Sequence, residues 1–206
     1  LNSLTGAETV LDGINRATYS FYSAHDKFGQ KSIDYALDCL GDDFYPTENG
    51  YGWFVAWYQW IEHRNVNGGN LEYVWSYYYD IINNANLVIA NLEPMSFEAT
   101  ADKNKQMSLL AQAYTYRAYS LYYLVQLFSE GGNGIPVPTI PNPGALARSS
   151  EDKVYTQINA DLAKAVKLFD DGGAKSEKVN VSQIDEAVTY AIMARVALTR
   201  GEWKNA

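Results

Sequence analysis

Three observations predict an all-α fold for this chain. Apolar side chains recur at steps of three and four over the segments 72–92, 103–129, 151–170 and 183–200, the spacing that places them on one helix face. Proline or glycine follows each segment and ends it. Nowhere does the sequence alternate apolar and polar residues as a half-buried strand would, or show a βαβ rhythm.

The first predicted helix, 72–92, is apolar on two faces. One stripe runs from Trp75 to Ile89 and a second from Val74 to Leu92. A helix with two apolar faces is packed between neighbours rather than lying on a surface. Glu93-Pro94 ends it, since proline disfavours the helical region for the residue before it.

The second helix, 103–129, is also predicted to be internal, and it raises the question of buried polar groups. Arg117 lies inside its apolar stripe, as Asn86 does in the preceding helix. A buried guanidinium has five donors to satisfy. We therefore expect Arg117 to connect helices or bind carbonyls, rather than to contact a ligand.

The remaining elements follow from caps and breakers. Ser149-Ser-Glu-Asp152 resembles a capping box before 151–170, and Ser182-Gln-Ile-Asp185 a cap before 183–200. The stretch Ile135–Gly144 holds four prolines and is predicted to be extended. A further helix is expected from Ala7 to about Ser23.

An aromatic-rich segment separates the N-terminal region from the long helices. Eight of the nineteen residues from 42 to 60 are aromatic, and the first half carries Pro, Gly and Asn turn signals. Aromatic rings on a loop can stack on the C–H face of a pyranose, while nearby amides and charged groups bind its hydroxyls. Candidate ligand-binding residues are Asp43, Tyr45, Tyr51, Trp53, Trp57, Arg64 and Asn67. Alternatively, Trp53, Trp57 and Trp60 form one face of a short buried helix.

Composition restricts the function classes. The 206 residues suffice for one domain, 47% are hydrophobic, and the net charge is −8. Such a surface repels phosphate backbones, so no nucleic-acid partner is expected. Cys39 is the sole cysteine, which excludes an intramolecular disulfide, and we interpret it as a buried apolar residue. No cofactor or metal ligand set is apparent.

Three blocks of sequence, in order, resemble the SusD-like (RagB/SusD) family. Trp75-x2-Tyr78-x2-Ile81-x3-Ala85-Asn86 is similar to one family helix. The stretch from Ala111 through Arg117-Ala118 to Phe128, followed by Gly134-Ile-Pro136, is similar to a second, with Gln112 where glutamate is usual. The third block joins Val154-Tyr155-x2-Ile158-x2-Asp161-Leu162 to Ala191-x2-Ala194-Arg195.

The resemblance implies more than the residues show. It implies tetratricopeptide-like helical hairpins with long irregular loops, and a single region over 1–206 that is a fragment of a longer protein. Family members are lipid-anchored, outward-facing proteins of the Bacteroidetes outer membrane. They hold oligosaccharides or other nutrients for a TonB-dependent, SusC-like transporter. The anchoring cysteine and signal peptide are not in this chain.

Two functions are compatible with the sequence. A glycan-binding protein should concentrate exposed rings at one loop-built patch, whereas a tetratricopeptide-like scaffold for a protein partner should present a concave groove lined by several repeats. No enzymatic activity is expected, because no flanking pattern marks an acid–base carboxylate pair among Asp42, Asp43, Glu48 and Glu62.

Overall fold

A computed structural model of the chain describes residues 2–20, 24–41, 44–47, 50–176 and 182–206. Within them lie seven α-helices and two 3₁₀-helices, Glu62–Arg64 and Gly173–Lys175. The α-helices are α1 (Leu4–Ala17), α2 (Gln30–Leu40), α3 (Val55–Tyr58), α4 (Gly69–Leu92), α5 (Thr100–Phe128), α6 (Glu151–Asp171) and α7 (Glu186–Thr199). Two isolated bridges, at Glu130–Asn133 and Asn133–Ser150, are the only β-pairing in these ranges. The predicted all-α class is confirmed.

The chain divides into two compact units. Unit 1 comprises Leu1–Asp12 and Tyr78–Ala206, and unit 2 comprises Gly13–Tyr77. None of the described helices combines the length and apolarity needed to cross a bilayer. The expectation of a single region over 1–206 stays a prediction.

Unit 1 is built around α5, which is buried along most of its length from Leu109 to Val125. Helix α6 packs along α5, and α7 contacts both α5 and α6. The cap of α6 is Ser150, whose hydroxyl accepts a hydrogen bond from the Lys153 amide at 3.4 Å. Helix α7 begins at 186, three residues later than predicted, because Asp185 is its N-cap and accepts from the Val188 amide at 2.9 Å.

The proline-rich stretch of unit 1 contains no helix, as predicted, but it is not extended throughout, because it bends at 140–142 and Asn142 has a φ of 48°. Side chains of α4 hold it. Tyr79 donates to the Pro136 carbonyl at 2.8 Å, and Asn86 donates to the carbonyls of Pro138 and Ile140 at 3.0 and 3.2 Å. Prolines have no amide hydrogen, so such a stretch cannot pair as a strand does. The donors of α4 satisfy its carbonyls instead.

Unit 2 contains α2 and α3, and a helix at 30–40 is absent from the sequence-based prediction. Its N-cap is Gly29, whose φ of 81° suits glycine and which makes no side-chain cap. The Tyr73 hydroxyl holds this residue in place: it accepts from the Gly29 amide at 2.9 Å and donates to the Gly29 carbonyl at 3.0 Å. A Cβ at position 29 would lie 2.3 Å from the Thr18 carbonyl oxygen, so no larger residue fits.

Candidate functional site

The aromatic segment of unit 2, residues 44–60, is shaped by two unusual backbone positions. Phe54 and Trp60 have φ of 63° and 59° and flank the single turn of α3. Bulky side chains rarely adopt this left-handed conformation, and it persists only where the surrounding structure determines it. The two bends separate the side chains of α3 from those before and after it, so neighbouring rings have different environments.

Trp57 is the ring that enters the core of unit 2. It is 8% exposed and packs with Ala36 and Cys39 of α2, with Phe54 and Leu71 at the margin. Burial, with a smaller contribution from Asp38, raises the pKa of the Cys39 thiol. The thiol therefore stays protonated at neutral pH, as expected of a structural cysteine. Trp57 is buried, so its ring does not belong to an exposed surface. The alternative interpretation, a buried helix face made of Trp53, Trp57 and Trp60, is wrong for the other two rings, which are exposed.

Apart from Phe54, which is partly buried, the other rings of the segment are exposed to solvent. Tyr51 is 92% exposed, Tyr45 65%, Trp60 55% and Trp53 44%. Tyr51 stacks against Trp53, with centroids 5.6 Å apart and planes 26° apart. Tyr45 meets Tyr58 edge to face at 5.5 Å. Ring-to-ring contacts of this kind fix the orientation of side chains that the core does not cover.

The polar candidate residues Arg64, Asn67 and Asp43 differ in their location relative to the aromatic segment. Arg64 is exposed, and its Nε donates to the Trp60 carbonyl at 2.9 Å, which places the guanidinium beside the aromatic segment. Asn67 is exposed three residues later. Asp43 lies outside the described residues, as do Asp42 and Glu48.

Three further side chains of unit 2 accompany the exposed rings of the aromatic segment but were not among the candidate residues. Trp60 and Tyr58 are exposed, and His25 lies 5.9 Å from the Trp53 ring. The left-handed Trp60 could not be recognised from spacing, because periodicity assumes a continuous helix. His25 lies 28 positions before Trp53 in the chain, and no local signal joins them.

A second polar cluster, in unit 1, connects side chains of α4, α5 and α6. Arg117 donates to both carboxylate oxygens of Asp161, at 2.8 and 2.6 Å, and to Oδ1 of Asn86 at 2.8 Å. All three residues are buried. The amide of Asn86 continues the network to the proline-rich stretch. The predicted structural role of Arg117 is confirmed, and no donor set there points towards a ligand.

This network joins the three blocks of sequence that resemble the SusD-like family. Asn86 comes from the first block, Arg117 from the second and Asp161 from the third. Together they form one buried network, the Arg117–Asp161 ion pair with the Asn86 side chain, which connects α4, α5 and α6. The blocks are constrained by the same contact.

Comparison with known proteins identifies the family of this chain. A SusD-like family model, described as "Starch-binding associating with outer membrane", matches residues 7–198. The chain belongs to the SusD-like family.

Individual relatives extend the comparison. The chain is 31% identical over 145 residues to SusD-like protein P2 of Formosa agariphila. It superposes on a SusD-like carbohydrate-binding protein from Bacteroides vulgatus with a TM-score of 0.82 at 21% identity, over 100% of this chain. It also superposes on surface glycan-binding protein A of Bacteroides thetaiotaomicron, solved with laminarihexaose, with a TM-score of 0.70 at 15% identity over 96% of this chain.

These relatives are much longer than the SusD-like chain described here. The alignment covers 68% of this chain but 26% of protein P2. It covers 43% of the B. vulgatus protein and 39% of the B. thetaiotaomicron protein. The predicted family and fold are thus confirmed, while the ligand-binding residues stay a prediction.

Proposed function

We propose that this chain is the helical N-terminal part of a non-catalytic glycan-binding protein of the outer membrane. The observation that carries the proposal is the concentration of exposed rings within 45–60 of unit 2: Tyr45, Tyr51, Trp53, Tyr58 and Trp60. Several exposed aromatic rings close together are uncommon unless they contact a ligand or a partner molecule. The family is described by starch binding and outer-membrane association. This description indicates a carbohydrate ligand, whose C–H faces can stack on exposed aromatic rings.

The proposed contact is made between sugar C–H faces and the rings, with polar groups at the edge. The stacked pair Tyr51 and Trp53 provides the largest exposed aromatic area. Arg64, which donates to the Trp60 carbonyl, is proposed as a donor at the end of the segment, and Asn67 as a further donor. Asp43, two residues before Tyr45, is proposed as an acceptor. A site built at one loop favours glycan binding over the tetratricopeptide-like scaffold, whose contacts would be spread over several helical repeats.

Delivery to a transporter is the second part of the proposal. We infer that the whole protein is lipid-anchored, faces outward and passes its glycan to a SusC-like, TonB-dependent transporter. The support is the family's association with the outer membrane. Co-purification of the tagged full-length protein from solubilised outer membranes, with a TonB-dependent transporter present or absent in the eluate, tests this part separately.

A glycan array on the full-length protein tests ligand binding, followed by calorimetry with the oligosaccharide that binds. Tyr51→Ala and Trp53→Ala should each weaken binding by about tenfold or more, because buried aromatic contacts dominate such interfaces. Tyr19→Ala is the matched control, since Tyr19 is also exposed in unit 2 but lies outside the aromatic segment. If both ring variants bind as tightly as Tyr19→Ala does, the segment is structural and the proposal fails.

A further inference from the structure

A pocket within unit 1 shares no residue with the aromatic segment of unit 2. Its volume is about 260 Å³. Helix α5 lines it between Lys105 and Gln112, α1 contributes Glu8, and the residues that follow α6 and begin α7 complete the walls. Because liquid water occupies about 30 Å³ per molecule, the pocket has room for several waters or for one small organic molecule.

A close approach of two backbones shapes one wall of this pocket. Gly173 begins the 3₁₀-helix Gly173–Lys175, directly after α6. A Cβ at Gly173 would lie 2.9 Å from both the Ser108 amide nitrogen and the Leu168 carbonyl oxygen. Only glycine permits such an approach. The next residue, Ala174, is exposed and lines the pocket, so the chain after α6 forms an accessible part of the wall.

The Gln112 side chain lines the same pocket, and the fold does not satisfy it. Gln112 is 5% exposed, and its Nε2 donates to the Ser108 hydroxyl oxygen at 3.4 Å, which is long for a hydrogen bond. No described residue donates to its Oε1. A buried amide oxygen without a donor is unfavourable and uncommon. A molecule that brings a donor into the pocket therefore gains a hydrogen bond that the protein itself does not make.

The charged groups that line the pocket are compensated within the fold. Lys105 Nζ lies 2.7 Å from Glu8 Oε2. Asp185 is the N-cap of α7 and Glu186 its first residue, a position where the helix dipole and free amides stabilise negative charge. The Asp185 carboxylate also accepts from the Val188 amide at 2.9 Å. An ionic ligand would have to compete with these interactions, whereas an uncharged ligand with hydroxyl groups would not.

We propose that this pocket binds one uncharged, hydroxyl-rich molecule of the size of a single sugar unit. A ligand hydroxyl donates to Gln112 Oε1, and the Ser108 hydroxyl donates to a ligand oxygen. Leu109 and Phe169 line the pocket too and pack against the C–H groups of the ligand. Pockets for larger organic ligands measure about 300–1,000 Å³, so a pocket of this size fits one sugar ring or a small polyol rather than an oligosaccharide. The proposal does not depend on glycan binding by the aromatic segment.

An NMR titration of the full-length protein, ¹⁵N-labelled at glutamine and glycine, tests the proposal with D-glucose, D-galactose, D-xylose and glycerol as probes. The side-chain amide resonance of Gln112 is assigned by its absence from the spectrum of Gln112→Met. At least one probe should shift this resonance to saturation. The Gly173 amide resonance reports the affinity in the variants, and Gln112→Met should weaken binding by about tenfold, because a ligand hydroxyl loses its acceptor.

Two further variants complete the design. Ala174→Phe fills the pocket from an exposed position and should abolish binding without altering the buried amide. Gln126→Met is the matched control, since Gln126 is an exposed glutamine of the same helix that does not line the pocket, and its affinity should equal that of the parent protein.

Three results would overturn the proposal. If no probe shifts the Gln112 resonance, the pocket holds water only. If Gln112→Met and Ala174→Phe bind as tightly as Gln126→Met does, the sugar binds elsewhere. If methylammonium chloride shifts the resonance and the four uncharged probes do not, the pocket binds a cation. Gln112 and Gly173 both belong to unit 1, so these outcomes are distinct from success or failure of the aromatic segment as a glycan site.

Discussion

The helical core of unit 1 and the aromatic segment of unit 2 use the same residue type in opposite ways. Tyr78, Tyr116 and Tyr122 are buried among the helices of unit 1, whereas Tyr45 and Tyr51 are mostly exposed. In unit 1 the rings lie on continuous helices, whose faces pack against neighbouring helices and bury them. In unit 2, Gly50, Gly52 and the left-handed Phe54 interrupt the backbone, so no helical face forms.

The difference shows that an aromatic count does not by itself predict a binding site. A buried ring contributes apolar area removed from water, about 25 cal/mol per Å². An exposed ring contributes little of this, so its presence needs another explanation when several occur together. Within the aromatic segment an exposed ring, Trp53, and a buried ring, Trp57, lie only four residues apart. Substitution of these two residues therefore tests the comparison most directly.

The largest expected effect is the loss of stability in Trp57→Ala. Because Trp57 packs against Ala36 and Cys39, removing its ring leaves a cavity and should lower the free energy of unfolding by about 3–5 kcal/mol. Trp53→Ala, at an exposed position, should lower it by about 1 kcal/mol or less. Urea denaturation followed by circular dichroism measures both, and equal losses would show that the two rings have the same environment.

Arg117→Ala should have the next largest effect, and it tests the buried network of unit 1. The substitution leaves the Asp161 carboxylate buried without its guanidinium partner, and should lower the free energy of unfolding by about 2–4 kcal/mol. Lys167→Ala is the matched control, because Lys167 makes an exposed ion pair with Asp171 and such pairs contribute about 0.5 kcal/mol or less. An unchanged denaturation midpoint in Arg117→Ala would contradict the role assigned to it.

Tyr116 in unit 1 gives a third test, through pH. Burial, with a smaller contribution from the charge of Asp12, raises the pKa of Tyr116 from 10.0 to about 12. Its contribution to stability is therefore complete below pH 10 and is lost as pH rises to about 12, because the unfolded state ionises first. The loss should total about 2–3 kcal/mol.

The variant Tyr116→Phe isolates this contribution from those of Tyr79, Tyr114 and Tyr155, whose pKa values burial also raises. Unfolding free energies at pH 9 and pH 11 should differ less in Tyr116→Phe than in the parent chain, by about 1.4 kcal/mol. Identical pH dependence in the two proteins would mean that the Tyr116 hydroxyl is accessible to water.

Sequence reasoning succeeded for the long helices because their signals are local. Caps, breakers and apolar spacing are read within a few residues, and α4, α5 and α6 begin and end within three residues of the predicted bounds. It missed α2, whose N-terminus depends on the Tyr73 hydroxyl 44 positions away. The same limit applies to the candidate site, where His25 reaches Trp53 only in the folded unit.

The smallest expected effect concerns binding, and it separates the aromatic segment from the rest of the proposed site. The 206-residue chain should bind the oligosaccharide that the full-length protein binds, but more weakly by about tenfold or more. With fewer rings held in place, fewer contacts offset the entropy of immobilising a flexible glycan. Because the chain spans less than half of its superposed relatives, we expect the missing contacts to come from the remainder of the protein.

Calorimetry measures the affinity of the 206-residue chain and of the full-length protein for the oligosaccharide. The same substitution, Tyr51→Ala, is made in both proteins. If the aromatic segment is one part of the site, Tyr51→Ala weakens binding by the full-length protein and abolishes the residual binding of the 206-residue chain. If the 206-residue chain binds as tightly as the full-length protein, the exposed rings of unit 2 form the whole site. If Tyr51→Ala changes neither affinity, the glycan binds elsewhere, and the contrast between buried and exposed tyrosines has no functional meaning.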